Sequence, residues 1–254
     1  KVMNQSGVPE QKVQLCIDQG NSSVKAGIFS GDDLLETFRF DRFTRESLNT
    51  IEIKYKIGSA IISSVTSTEE ELKKLFANKS INLVVLSHKT KLPFTMGYNT
   101  PETLGNDRIA AVAGAAFLKK NCNLLVIDAG TAITYDFIDS NGHYHGGNIA
   151  PGIDLRLKSL HLFTGKLPLV EAKNEFSLLG KNTESAILNG VLNGIIFEIN
   201  GYIDALKFKY PELSVFLTGG STFYFDGKLK SAIFAERNLV LIGLNRILLF
   251  NVQK

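Results

Sequence analysis

Two short runs of this chain place a carboxylate and a glycine in the same relation. Leu15-Cys16-Ile17-Asp18-Gln19-Gly20-Asn21 and Leu125-Val126-Ile127-Asp128-Ala129-Gly130-Thr131 each read as an apolar strand ending in Asp-x-Gly and a small polar residue. Such a turn does two things at once. The glycine lets backbone N–H groups approach an anion, and the carboxylate before it can hold a hydrated cation against that anion. Two copies predict two half-domains gripping a metal-bound polyphosphate. In the first turn Ser22 and Ser23 add hydroxyls, Val24 begins the next strand and Lys25 brings a positive charge. Asp, Asn, Gly and Ser also favour ordinary β-turns, so it is the repetition that points to phosphate.

Other residues could complete a site. Gly105-Asn106-Asp107-Arg108 heads an alanine-rich stretch. Asp107 there is either the favoured acidic residue of a helix N-terminus or a base for a hydroxyl proton, with Arg108 forking onto a carboxylate or phosphate. Leu217-Thr218-Gly219-Gly220 delivers two glycines to a helix start, either a tight turn or bare backbone for a flat base. The run 146–152, Gly-Gly-Asn-Ile-Ala-Pro-Gly, is expected to be a loop, lining a pocket wall or simply turning the chain. Thr183 either caps a long helix or meets a ligand. Gly190 and Gly194, one helical turn apart, would let a second helix approach closely. A Walker loop and a dinucleotide fingerprint are both excluded, because neither G-x-x-x-x-G-K-[ST] nor any G-x-G occurs.

The elements that must hold these residues follow from the hydrophobic pattern. Strands are predicted at 13–18, 24–29, 34–40, 57–64, 83–86, 124–128, 132–138 and 215–218, with a return strand starting at 143–145. Helices are predicted at 69–76 (capped by Thr68 or Ser67), 104–120, 153–160 and 183–206, and 239–252 reads as mixed strand and helix. Lys119 and Lys120 would occupy the last turn of the helix 104–120. Each half opens on a three-strand meander, giving a duplicated α/β chain of mixed sheets flanked by helices, with domains at 1–120 and 121–254.

The composition, 44% hydrophobic and 21% charged with a net charge of +3, is that of a globular protein without a basic footprint for nucleic acid. Cys16 and Cys122 lack C-x-x-C spacing and read as buried reduced thiols, and the four histidines read as ordinary polar residues. The first twelve residues carry no apolar signal core, and no uninterrupted apolar run has the roughly 18 residues of a membrane span. A cytoplasmic protein that engages no membrane is expected.

Taken in order, D-Q-G-N-S-S-V-K, G-N-D-R, D-A-G-T-A-I-T-Y-D, G-G-N-I-A-P-G, N-T-E-S-A-I and L-T-G-G resemble the motif series of type III pantothenate kinases, from residue 13 to about 220. The resemblance implies duplicated ribonuclease-H-like domains of the actin-like ATPase and sugar-kinase superfamily, assembled as a homodimer. It implies transfer of a phosphoryl group from ATP to pantothenate, the first step of coenzyme A synthesis. Asp107 would be the catalytic aspartate. ATP would meet Asp18, Gln19, Gly20, Asn21, Ser22, Ser23, Val24, Lys25, Thr131, Gly219 and Gly220. Pantothenate would meet Tyr98, Gly105, Asn106, Asp107, Arg108 and Thr183, the threonine reaching across the dimer. Asp128 would hold a monovalent cation, K⁺ or NH₄⁺, and Asp18 would hold Mg²⁺ through water.

The cations follow from charge. A carboxylate within about 4 Å of a phosphate oxygen costs about 4 kcal/mol at an effective dielectric near 20, more than Lys25 and Arg108 offset across three aspartates. Two further readings keep the scaffold. One is a kinase of the same superfamily with another small hydroxyl or carboxylate acceptor, and the other is a regulatory accessory factor without turnover.

Overall fold

A computed structural model describes residues 12–20, 23–65, 67–225 and 227–252. The chain forms two compact units, Lys1–Leu118 with Asn238–Lys254, and Lys119–Arg237. The sequence pattern had kept 121–254 together, whereas the last helix belongs to the first unit.

The first unit is built on a meander, β1 (Val13–Gln19), β2 (Val24–Ser30) and β3 (Asp33–Phe40). Helix α1 (Arg45–Glu52) leads to β4 (Ile57–Ser64), and α2 (Glu69–Leu75) leads to β5 (Asn82–Val85). The sheet order is β3-β2-β1-β4-β5. The meander pairs antiparallel, and β4 and β5 run parallel to β1. β1 is therefore central, and its side chains Leu15 and Ile17 are wholly buried with Ile28, Ile62 and Leu48.

Helix α1 was not anticipated. Thr44 accepts from the Ser47 N–H while the Ser47 hydroxyl accepts from the Thr44 N–H, a capping box that fixes its start, and Leu48 and Ile51 bury one face. For α2 the cap is Thr68, one of the two expected, with Glu71 completing the box. A two-residue strand β6 (Thr95–Met96) and a 3₁₀ turn (Pro101–Thr103) precede α3 (Asn106–Leu118). That helix is shorter than predicted at both ends. Lys119 and Lys120 lie beyond it, Lys119 with its ammonium 4.4 Å from the Phe234 ring.

The second unit repeats the plan with β7 (Leu124–Ala129), β8 (Ala132–Ile138) and β9 (His143–Pro151), then α4 (Ile153–Leu162), α5 (Thr183–Lys209), β10 (Ser214–Thr218), a second 3₁₀ turn (Thr222–Tyr224) and β11 (Ile233–Ala235). Its strands run in the order β11-β10-β7-β8-β9. β8 and β9 are antiparallel neighbours, while β10 and β11 run parallel to β7. Position by position this is the first unit's topology, with β7 in the role of β1. The glycine-rich run 146–152 is not the expected loop. Most of it is strand, paired from Ala132↔Pro151 to Phe137↔Gly146.

By length and composition α5 could cross a membrane, although no such run had been expected. More than half of its most apolar stretch is buried, with Ile187, Leu192, Ile195, Ile199 and Ile203 forming the core of the second unit.

The terminal helix α6 (Leu239–Val252) is helical throughout, where a mixed pattern had been read. It crosses α3 at a pair of glycines. A Cβ on Gly243 would overlap the Ala110 carbonyl and lie 2.8 Å from the Gly114 nitrogen, and one on Gly114 would overlap the Leu239 carbonyl. The backbones therefore touch, and α3 is fixed by a helix from the far end of the chain. Gly243→Ala should force the helices apart and destabilise the protein by about 1–3 kcal/mol, the usual range for overpacking. A thermal melt unchanged in this variant would rule out the close crossing.

Candidate active site

Asp18 is the penultimate residue of β1, paired with Lys25 on β2 and Ser63 on β4. It is half-buried at the sheet's end. Burial foremost, then the Asp107 charge, raise its carboxyl from the ordinary 3.8 to about 6, against lowering by a hydrogen bond with Ser63 and by Lys25. The structure therefore brings Asp18, Lys25 and Asp107 into one electrostatic neighbourhood. Ser63, which the sequence pattern did not single out, joins them. Its signal was available: it closes a parallel strand beside β1, and ligands in α/β sheets collect at carboxyl ends of strands.

The turn after Asp18 is closed by the Gly20 N–H donating to the Ser23 carbonyl at 3.1 Å. Asn21 and Ser22, both expected phosphate contacts, lie outside the described residues. Gln19 and Val24 are buried, at 6% and 1% exposure, so their side chains serve the fold rather than the solvent face. The Gln19 amide nitrogen donates to the Ser67 hydroxyl at 2.8 Å. A ligand could use only backbone at these two positions. Ser23 is exposed.

Asp107 sits in the first turn of α3, its Oδ1 accepting from the Arg108 N–H at 2.8 Å. Gly105 makes room for that carboxylate, since a Cβ there would overlap Oδ1. The Gly105 carbonyl accepts the first helical bond from Ile109, and the Asn106 side chain donates to the Leu86 carbonyl at 3.0 Å, tying the helix start to the end of β5. Arg108 is only 5% exposed, with its guanidinium carbon 5.8 Å from the centroid of the Tyr98 ring. Tyr98, Gly105, Asn106, Asp107 and Arg108 thus gather at the head of one helix.

The second unit assembles its own group. Asp128 is the penultimate residue of β7 and half-buried, and the Gly130 N–H donates to the Ala132 carbonyl at 3.1 Å to close the turn, leaving Thr131 exposed. Gly219, at φ +100°, lies directly against this turn. A Cβ on it would come within 2.5 Å of Asp128 Oδ1 and 2.6 Å of the Ala129 carbonyl, so both conformation and space demand glycine. The Ser221 N–H donates to the Ala129 carbonyl at 2.9 Å. The second Asp-x-Gly turn and the Gly219-Gly220 turn are side by side. Thr183 stands apart in role from one expectation: the cap of α5 is Asn182, whose Oδ1 accepts from the Ser185 N–H at 2.8 Å, and Thr183 is the exposed first residue of the helix.

Residues 14–205 match the type III pantothenate kinase family. Curated relatives of that name are 50% identical in Phocaeicola vulgatus, over 94% of this chain and 99% of the relative, and 49% identical in Bacteroides fragilis, over 94% and 98%. The chain belongs to the type III pantothenate kinase family. Among solved structures, a protein described as a Baf family transcriptional activator from Campylobacter jejuni is 25% identical, with a TM-score of 0.60 over 94% of this chain and all of that one. A ROK hexokinase from Thermus thermophilus shares the fold at 11% identity, with a TM-score of 0.52 over 94% and 99%. The family's fold is thus that of the actin-like ATPases and sugar kinases.

The raised Asp18 carboxyl has a consequence for stability. The folded state holds this proton more tightly than the unfolded chain, so folding is favoured by Asp18 below pH 3.8, and that advantage is lost as pH rises through about 6. Ionised Asp18 then costs on the order of 3 kcal/mol. Asp18→Asn should therefore raise unfolding free energy at pH 8 by up to about that amount and change it little at pH 3.5. Urea denaturation at the two pH values measures this, and equal effects at both would contradict the assigned environment.

Proposed function

We propose that this chain transfers the γ-phosphoryl group of ATP to the primary hydroxyl of pantothenate, giving ADP and 4′-phosphopantothenate, the first step of coenzyme A synthesis. The observation that carries this reading is the placement of Asp107, at the head of α3 and within electrostatic range of Asp18 at the end of β1. Asp107 accepts the hydroxyl proton as the pantothenate oxygen attacks the γ-phosphorus in line, and the bond to the β-phosphate oxygen breaks. Arg108 and Tyr98, with Gly105 and Asn106, hold the acceptor. Lys25, Ser23 and the turn backbone serve the phosphates. In the second unit Thr131, Gly219 and Gly220 contact the nucleotide.

The acidic residues fit cations. Two neighbouring carboxylates, only partly offset by Lys25, favour a positive ion beside Asp18. Among the described residues no group of three or more His, Cys, Asp or Glu side chains could hold a metal by itself, so Mg²⁺ at Asp18 would take its other ligands from water and phosphate. Bound there, the ion would neutralise charge developing on the transferred group. Asp128, whose Oδ1 lies against Gly219, is assigned to K⁺ or NH₄⁺.

The working form is a cytoplasmic homodimer with Thr183 reaching the partner's pantothenate. Support comes from α5, which exposes Phe197 at 60% and Phe208 at 95% on the same face as Gly190, Gly194 and Gly201, where an added Cβ would meet only open space. Exposed helical glycines cost up to about 1 kcal/mol each relative to alanine unless something packs on them.

Asp107→Asn preserves shape and removes the base, and should lower turnover 10²- to 10⁴-fold while nucleotide binding persists. Coupled ADP release measures it, and near-normal turnover would remove Asp107 from the proton transfer. Replacing potassium with sodium should depress activity, and full activity in sodium would sink the role of Asp128. The likeness to the Campylobacter jejuni protein favours one alternative, a regulator on the same scaffold. Pantothenate-dependent ADP release excludes it.

A further inference from the structure

A polar network in the second unit is absorbed by none of the roles above. Tyr135 on β8 is 2% exposed and stacks on Tyr202, ring centroids 4.1 Å apart. Its hydroxyl donates to Glu198 Oε1 on α5 at 2.7 Å, and the same carboxylate accepts from the Arg156 guanidinium on α4 at 2.6 Å through Oε2. Arg156 then uses a second nitrogen, Nε, to donate to the Pro151 carbonyl at 2.7 Å. Burial and the Glu198 hydrogen bond push the Tyr135 phenol up, so it stays a donor at every working pH.

A largely shielded ion pair contributes little net stability, because desolvation offsets most of the attraction. This one does something geometric. Pro151 ends β9, and the next residue, Gly152, donates its N–H to the Thr131 carbonyl at 3.0 Å. A Cβ on Gly152 would overlap the Gly130 carbonyl, so the strand end lies flat against the turn. The path from Glu198 through Arg156 and the Pro151–Gly152 peptide therefore reaches the backbone of Gly130 and Thr131. Arg156 acts through the peptide it grips.

We propose that Arg156, oriented by Glu198 and Tyr135, is a positioning residue that fixes the Gly130–Thr131 turn for the phosphates of the nucleotide. This rests on the assignment of that turn to ATP. A planar fork can hold the carboxylate and the carbonyl together, whereas lysine offers a point charge without that geometry.

The test compares Arg156→Lys, Glu198→Ala, Glu198→Gln and Glu198→Met with the unaltered full-length protein. Arg156→Lys keeps the charge and loses the fork. It should raise KM for ATP about tenfold, with an equal rise in the Kd for ADP by calorimetry, while KM for pantothenate stays within twofold. Glu198→Ala should do the same. Glu198→Gln, which can still accept from Arg156 and hydrogen-bond Tyr135, should restore near-normal values, whereas Glu198→Met, which fills the same space without an acceptor, should behave like Glu198→Ala; rescue by Met as well would mean packing alone and overturn the positioning role. Nucleotide and pantothenate constants moving together, or neither moving in Arg156→Lys, would overturn the positioning role. The ADP arm needs no turnover. A protein that bound ADP but left pantothenate unphosphorylated would overturn the reaction, and the role of Arg156 would still be decided by nucleotide affinity.

Discussion

The constraint on which the rest depends is a carboxylate kept where a carboxylate is unwelcome. Asp18 is the penultimate residue of the central strand of a sheet, half-buried, with Asp107 as a like charge nearby and Lys25 and Ser63 in partial compensation. A chain selected for stability alone would place a neutral residue there. Retaining the charge makes sense when a cation and a polyphosphate complete the electrostatics, because repulsion present without ligand becomes attraction with it. The surrounding structure serves this arrangement. β1 is hydrogen-bonded on both sides, to β2 and β4, and α3, which carries Asp107, packs against α6 through a glycine-to-glycine crossing.

Both units use the same strand order around a central strand ending in Asp-x-Gly, but each braces its turn differently. In the first, Gln19 folds inward onto Ser67, from the segment that follows β4. In the second, the equivalent position is Ala129, which has no polar side chain to offer, and the support is backbone. Ser221 donates to its carbonyl, Gly219 lies against it, and Gly152 backs Thr131 from the other side. Duplication preserved the strand and the carboxylate. The bracing diverged because it depends on whichever elements each unit places behind the turn.

Much of this was legible in the chain. Apolar strands ending in Asp-x-Gly, the threonine cap of α2 and the apolar spacing of α5 each state a local preference that tertiary contacts uphold. The failures have physical causes. Helix α1 is eight residues long with a Thr-Ser box, and so gives little periodic signal. The run 146–152 looks like a loop because glycine and proline are poor strand formers, yet Gly147 is required there, as a Cβ would overlap the Tyr135 carbonyl on the neighbouring strand. Helix α6 is apolar nearly all round, which leaves helix and buried strand alike in pattern. Of the site, the carboxylates and glycines were readable because their chemistry is local. Ser63 was passed over although it lies near the end of a predicted strand, and the Tyr135–Glu198–Arg156 network was not readable, because what it does exists only once distant segments are folded together.

That difference bears on how the Gly130–Thr131 turn, proposed above to hold the nucleotide's phosphates, would gain its rigidity. A turn built from Gly130 and Thr131 has little internal stiffness, since glycine imposes no preference on the backbone. Phosphoryl transfer nevertheless asks chiefly for position, and misplacement by about an ångström can cost on the order of 100-fold. The stiffness must therefore be imported. In the second unit it comes from β9 and β10, whose ends press on the turn through Gly152 and Gly219, and from a guanidinium anchored to α5 that holds the end of β9 in place. The glycines allow contact, and the charged network sets where that contact falls. Neither suffices alone: close contact without an anchor would let the strand end drift, and an anchor without close contact would leave the turn untouched.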